Sequence, residues 1–186
     1  MSYHERRLPH CYPADAILFL TWRLFGTLPT YCFSNSEVSE SGKAFAESDR
    51  LLDAATDAPR WLGDHRIASV ITAALAQGEN EYRLYERFAW VIMPNHVHVV
   101  MHPFQPLPVV MRWLKGSTSR SANKILNRTG KPFWQYETYD HCVRNTEELN
   151  RVIRYVEGNP VRAGFVGSIE DWEWSSARAG RRPTLL

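Results

Sequence analysis

Two histidines one residue apart, in the stretch Met93-Pro-Asn-His-Val-His-Val-Val-Met-His102, are the side chains best placed to bind a metal. Along an extended strand side chains alternate with a period of two, so His96 and His98 share one face, about 7 Å apart along the backbone. Two imidazoles on one face can hold a single divalent ion between them. The plainer alternative is two histidines on the solvent side of a half-buried strand, and the apolar neighbours weigh toward the ligand pair. His102 has the same parity but lies roughly 13 Å beyond His98, out of reach of the same ion unless the strand bends.

Arg151-Val-Ile-Arg-Tyr155-Val-Glu-Gly-Asn159-Pro160 is the second constellation. Four residues separate Tyr155 from Asn159, so a helix stacks them one turn apart on the flank of its apolar face. A phenol there can reach a substrate, and an amide oxygen one turn away can complete the coordination of a metal. On this helix alone the simpler account is a Tyr packed at the core edge and an Asn ending the helix.

The elements that must carry these groups follow from periodicity. Ala16 to Phe25 is apolar and closed by Gly26, as in a buried strand. Residues 28–60 read as an insertion with a short helix near Lys43–Ala54. Asp64 caps a helix through Ala76 that Gly78 ends. Tyr82–Met93 and Val97–Met101 form a hairpin about Pro94-Asn95. Leu107–Leu126 is a helix with the ridge Val110, Leu114, Thr118, Ala122 and Ile125, softened at Gly116. Trp134–Val143 is a fourth strand or extended segment. Asn145 and Glu148 resemble a capping box opening a helix to Gly158. This order predicts an α+β fold of ferredoxin-like type, an antiparallel sheet of about four strands with helices packed on one side.

The chain of 186 residues fits a single domain (1–186), with 177–186 as a flexible tail. No apolar run nears the ~20 residues of a membrane span, and the polar start lacks the apolar stretch of a secretion signal. Cys11, Cys32 and Cys142 are too scattered for a disulfide framework or a zinc ribbon. The expectation is a cytoplasmic protein with no membrane partner. The net charge is only +2, but between Gln105 and Tyr136 there is no acidic residue, while Arg112, Lys115, Arg120, Lys124, Arg128 and Lys131 all fall there. Such a one-sign run suits a phosphate backbone, or equally a solvated helix face.

Taken together the two constellations resemble the single-tyrosine HUH transposases: His–hydrophobe–His on a strand, then a helical Tyr with an amide four residues on. The segments from Trp90 to His98, Phe133-Trp-Gln, Tyr139 to Asn145, Tyr155 to Val166 and Trp172-Glu-Trp-Ser-Ser are similar to the REP-associated branch of the IS200/IS605 group. The likeness runs from about Ala16 to Ser176 and implies the RRM-like HUH fold. It implies His96, His98 and Asn159 as ligands of Mg²⁺ or Mn²⁺, where insertion-sequence relatives typically have Gln in place of Asn159. Tyr155 would be the nucleophile that cleaves single-stranded DNA beside a hairpin, leaving a 5′-phosphotyrosine. On composition, Arg112, Lys115, Arg120 and Lys124 would contact DNA phosphates and Trp113 or another exposed aromatic could stack a base; the REP-associated likeness favours a monomer over a homodimer. The alternatives are a catalytically inactive hairpin-binding domain of the same fold and a small metalloenzyme with another third ligand, such as His141. Tyr136 and Tyr139 are the competing nucleophiles.

Overall fold

Strands that are apolar on both faces must lie inside a sheet with cover above and below. The computed structural model describes residues 13, 15–27, 41–55, 57–178 and 180, and its first strand meets that condition. β1 (Ile17–Arg23) is buried at every position after Ile17. It is flanked by β3 (His96–Pro103) and β4 (Tyr139–Val143), and β2 (Tyr85–Ile92) pairs with β3. The sheet order is β2-β3-β1-β4 with every pair antiparallel, the ferredoxin-like arrangement expected.

The helices divide between the two faces instead of lying on one. Leu18, Leu20, Trp22, Val97, Val99 and Met101 pack with α2 (His65–Asn80) and α3 (Leu107–Ile125). Phe19, Ala89, Val91 and Val100 face the other way, where Leu149 and Val156 of α4 (Thr146–Glu157) cover them. The physical reason is in β1 itself: Phe19 is as apolar as Leu18 and Leu20, so both parities need shelter. A short α5 (Asn159–Arg162) follows α4 directly. The expected helix of the inserted segment is α1 (Ser41–Ala54). Residues 28–40, Cys11, Cys32 and most of the 177–186 tail lie outside the described residues. Among the described residues no helix is long and apolar enough to cross a membrane.

Local signals hold with two differences. The Asp64 carboxylate accepts the Arg66 N–H as the α2 cap, and Met93 N–H donates to the His96 carbonyl across the hairpin turn. Asn145 Oδ1 accepts from Glu148 N–H, but the Glu148 carboxylate accepts from Arg144 N–H and His141 Nε2–H and closes no capping box. Nor does α2 stop at Gly78: it runs on to Asn80. Gly78 is there for close approach. Tyr85, fully buried, lays its ring against it and donates its hydroxyl to the Leu75 carbonyl. A Cβ at Gly78 would stand 2.2 Å from the Tyr85 hydroxyl oxygen and 2.7 Å from Cζ. Gly78→Ala is therefore expected to destabilise the protein. Overpacking costs about 1–3 kcal/mol, and the helix-propensity gain of about 1 kcal/mol offsets only part of it. Thermal unfolding should show a melting point lower by a few degrees, about 2–4 °C per kcal/mol at this size; an unchanged or raised value would contradict the close packing.

Candidate active site

His96 and His98 do not face solvent. They start β3, opposite Arg23 and Thr21 of β1, and both are fully buried. Their Nε2 atoms lie 3.0 Å apart. Asn95, in the turn just before them, orients the first ring. Its amide Nδ2 donates to the Leu52 carbonyl at 2.7 Å, so Oδ1 is the atom 2.7 Å from His96 Nδ1. A carboxamide oxygen only accepts, which puts the imidazole proton on Nδ1 and turns the Nε2 lone pair inward. His98 Nδ1 is held 2.7 Å from the Thr21 hydroxyl.

The second constellation arrives from α4 and α5. Tyr155 stands edge-on to Phe19 and His98, each with ring centroids 6.1 Å away. Asn159 opens α5 and does not cap α4; the α4 end is closed by the Gly158 N–H on the Arg154 carbonyl. Fully buried, Asn159 places Nδ2 2.9 Å from His98 Nε2, and its Oδ1 has no hydrogen-bond partner. The four residues singled out as catalytic or ligating are thus brought together.

A fifth group meets them that the sequence reading did not single out. Asp49, on α1 and 3% exposed, accepts the Tyr155 hydroxyl and the Asn159 amide on Oδ2. Its Oδ1 lies 3.0 Å from His98 Nε2 and 3.3 Å from His96 Nε2. The only sequence signal was an acid one turn from Asp53 on the side of buried Leu52.

This donor set suits a divalent cation. Asp49, His96 and His98 offer ligand atoms within 4.8 Å of one another. Neighbouring ligands of an octahedral ion with ~2.1 Å bonds are separated by about 3 Å, which is the spacing of these three atoms. Two oxygens of the cluster, Asp49 Oδ1 and Asn159 Oδ1, are buried without a hydrogen-bond partner. Protonation matches as well. Burial pushes His96 down, toward the neutral ring a metal needs, against the pull of the neighbouring Asp49 carboxylate. Burial alone would raise the Asp49 carboxyl, but the charge of His98 and the closeness of both rings outweigh it and keep it ionised. Burial and then the Asp49 charge push the Tyr155 phenol well above its ordinary value.

The other sequence candidates are elsewhere. Arg112, Arg120 and Lys124 are exposed on α3, which packs with α2 on the face of the sheet opposite the histidines. The Lys115 ammonium donates to the carbonyls of Gln135, Tyr136 and Glu137 at 2.9–3.0 Å and so shapes that loop. Trp113 is half-buried against Tyr82. His141 pairs with Glu148 at 3.0 Å, and His102 packs on Phe104; neither joins the described metal-capable cluster. Tyr136 is 74% exposed, and Tyr139 packs edge-on against Phe19. Beside the site itself, the Arg162 guanidinium lies 3.9 Å above the Tyr155 ring.

Residues 63–159 match the family described as "Transposase IS200 like". That span takes in His96, His98, Tyr155 and Asn159 and leaves Asp49 outside. A REP-associated tyrosine transposase of Escherichia coli (strain K12) is 29% identical over 96 residues, 50% of this chain and 55% of that protein. The chain therefore spans little more than half the length of that relative. The structure of a REP-associated tyrosine transposase bound to a REP hairpin superposes with a TM-score of 0.58 at 19% identity, over 96% of this chain and 84% of that one. At that identity the likeness is one of fold.

Proposed function

This chain belongs to the IS200-like transposase family, and on that premise we propose that it cuts and rejoins single-stranded DNA beside a hairpin. Tyr155 is the nucleophile, and His96, His98 and Asn159 are metal ligands. The observation that carries the reading is the meeting of the Tyr155 hydroxyl and the Asn159 amide at one carboxylate oxygen beside the two inward-facing imidazoles. Nucleophile and ligands therefore act on one point.

A divalent ion bound there, Mg²⁺ or Mn²⁺, supplies Lewis-acid polarisation of the scissile phosphate. The chain's own residues do the rest. Asn95 and Thr21 hold the two rings at the required rotation, and Phe19 fixes the edge of the Tyr155 ring. The phenol oxygen bonds to phosphorus, the bond to the 3′-oxygen breaks, and the 5′-phosphate stays on the protein. The ester retains the phosphodiester energy, so a second 3′-hydroxyl can reverse the step. The phenol's burial keeps it protonated at rest, so its proton leaves only as the new bond forms. That Tyr155, Asn159, Asp49 and His98 meet within one chain supports the monomer reading.

Nicking of a hairpin oligonucleotide with a single-stranded flank tests the proposal. Cleavage should require a divalent ion, and binding should favour that hairpin over paired duplex of the same sequence. Hairpin binding with no nicking would instead support the inactive DNA-binding reading, and equal affinity for duplex would count against the substrate. Binding should also weaken with salt. Arg112→Ala or Arg120→Ala should reduce the log–log slope by about 1 each if those exposed side chains neutralise phosphates.

A further inference from the structure

We propose that Asp49 is a catalytic residue of this site, binding the ion through Oδ1 and receiving the Tyr155 proton through Oδ2. The inserted segment thereby completes the active centre. This deepens the tyrosine-nuclease reading above and rests on it.

The geometry separates the two oxygens. Oδ2 accepts the Tyr155 hydroxyl and the Asn159 Nδ2–H, so its lone pairs are engaged by donors. Oδ1 has no hydrogen-bond partner although two ring nitrogens lie within 3.3 Å of it. For His96 the reason is chemical. Asn95 places that ring's proton on Nδ1, so the lone pair of Nε2 faces the lone pairs of Oδ1. Acceptor against acceptor in a buried place is unfavourable, and a cation between them removes the conflict. A carboxylate present only for stability needs donors on both oxygens; this one has them on the side of the nucleophile alone.

The helix that carries it is held in place by the site. Leu52, one turn along α1, is 1% exposed, and its carbonyl accepts the Asn95 amide at 2.7 Å. The residue that orients His96 therefore also fixes the position of α1, and with it Asp49. In cleavage the phenol proton passes to Oδ2 and the Tyr155 oxygen bonds to phosphorus. The bond to the 3′-oxygen breaks with its electron pair left on that oxygen, which takes a proton from solvent as Asp49 releases its own. No net proton is gained or lost.

Asp49→Asn keeps the shape and removes the charge. Calorimetric titration of the full chain with Mn²⁺ alone should show affinity reduced by more than the roughly 10–100-fold that loss of an outer ligand partner brings. The rate of the covalent protein–DNA adduct should fall at least ~100-fold, with hairpin affinity unchanged. Wild-type Mn²⁺ affinity in this variant would overturn the ligand role, and a wild-type adduct rate would overturn the proton-acceptor role. Asp49→Glu retains the charge and should bind Mn²⁺ more tightly than Asp49→Asn. Equal affinities of the two variants would also overturn the ligand role, and this comparison stands if one variant's adduct assay is compromised by folding. If the wild-type protein itself forms no adduct, the nuclease reading fails, while the Mn²⁺ titrations still decide whether Asp49 is a ligand.

Discussion

Tyr155→Phe is expected to abolish covalent attachment to DNA while leaving the fold and hairpin binding intact. The substitution removes one oxygen. The ring keeps its edge contacts with Phe19 and His98 and its place under the Arg162 guanidinium. Asp49 Oδ2 keeps the Asn159 amide as a donor, so losing the hydrogen bond to this charged carboxylate should cost about 1.5–3 kcal/mol without unfolding the chain. The chemistry has no such reserve, because a phenyl ring has no atom to attack phosphorus. With a hairpin substrate labelled at its 3′ end, a denaturing gel should show a labelled band of protein size for the wild type and none for the variant. An adduct in the variant would mean the wrong nucleophile. Retention of a 5′ label in place of the 3′ label would mean the wrong polarity. Tyr139 is then the next residue to substitute: it contacts the same Phe19, though burial holds its phenol at about 12.

Removing the metal should be as severe. His96→Ala together with His98→Ala takes away two inward nitrogens, and excess EDTA on the unaltered protein takes away the ion itself. Both treatments should eliminate adduct formation. EDTA should leave hairpin affinity within experimental error, since the phosphate contacts proposed for Arg112 and Arg120 lie on the other face of the sheet. The double variant should also melt at a lower temperature, because its Asp49 carboxylate loses the two rings that offset its burial. Mn²⁺ should restore activity at least as well as Mg²⁺, imidazole nitrogen being the better match to it. Full cleavage in EDTA, or by the double variant, would remove the metal from the mechanism.

How much of this was legible in the sequence depended on how local each cause was. The hairpin that presents His96 and His98 follows from a period of two and a Pro-Asn turn, and it formed as expected. The amphipathic stripe of α4 similarly set Tyr155 on its flank, whereas Asn159 lies past the end of that helix, at the start of α5. The face that α4 covers was not local, because it depends on both parities of β1 being apolar and on which of them α2 and α3 had already taken. Gly78 carried a conformational signal and had a steric purpose, visible only once Tyr85 lay against it. Asp49 was the hardest to read. It meets Tyr155 across 106 residues of sequence, and nothing near it says that α1 returns to the hairpin turn. Lys115 was one of six basic residues in a stretch without an acidic one, and only the fold separates a lysine that organises carbonyls from those left exposed.

The double engagement of Asn95 has a consequence for which substitutions the site can absorb. The group it reads on α1 is a main-chain carbonyl, which any residue at position 52 would supply, so drift in that side chain leaves the polarity of His96 untouched. Position 95 has no such latitude. An aspartate there brings no N–H to the Leu52 carbonyl and sets like against like, and an alanine offers neither a donor nor an acceptor. One amide thus carries the orientation of an imidazole and the seating of a helix in the same bond pair, and a change at this single position would be felt by both.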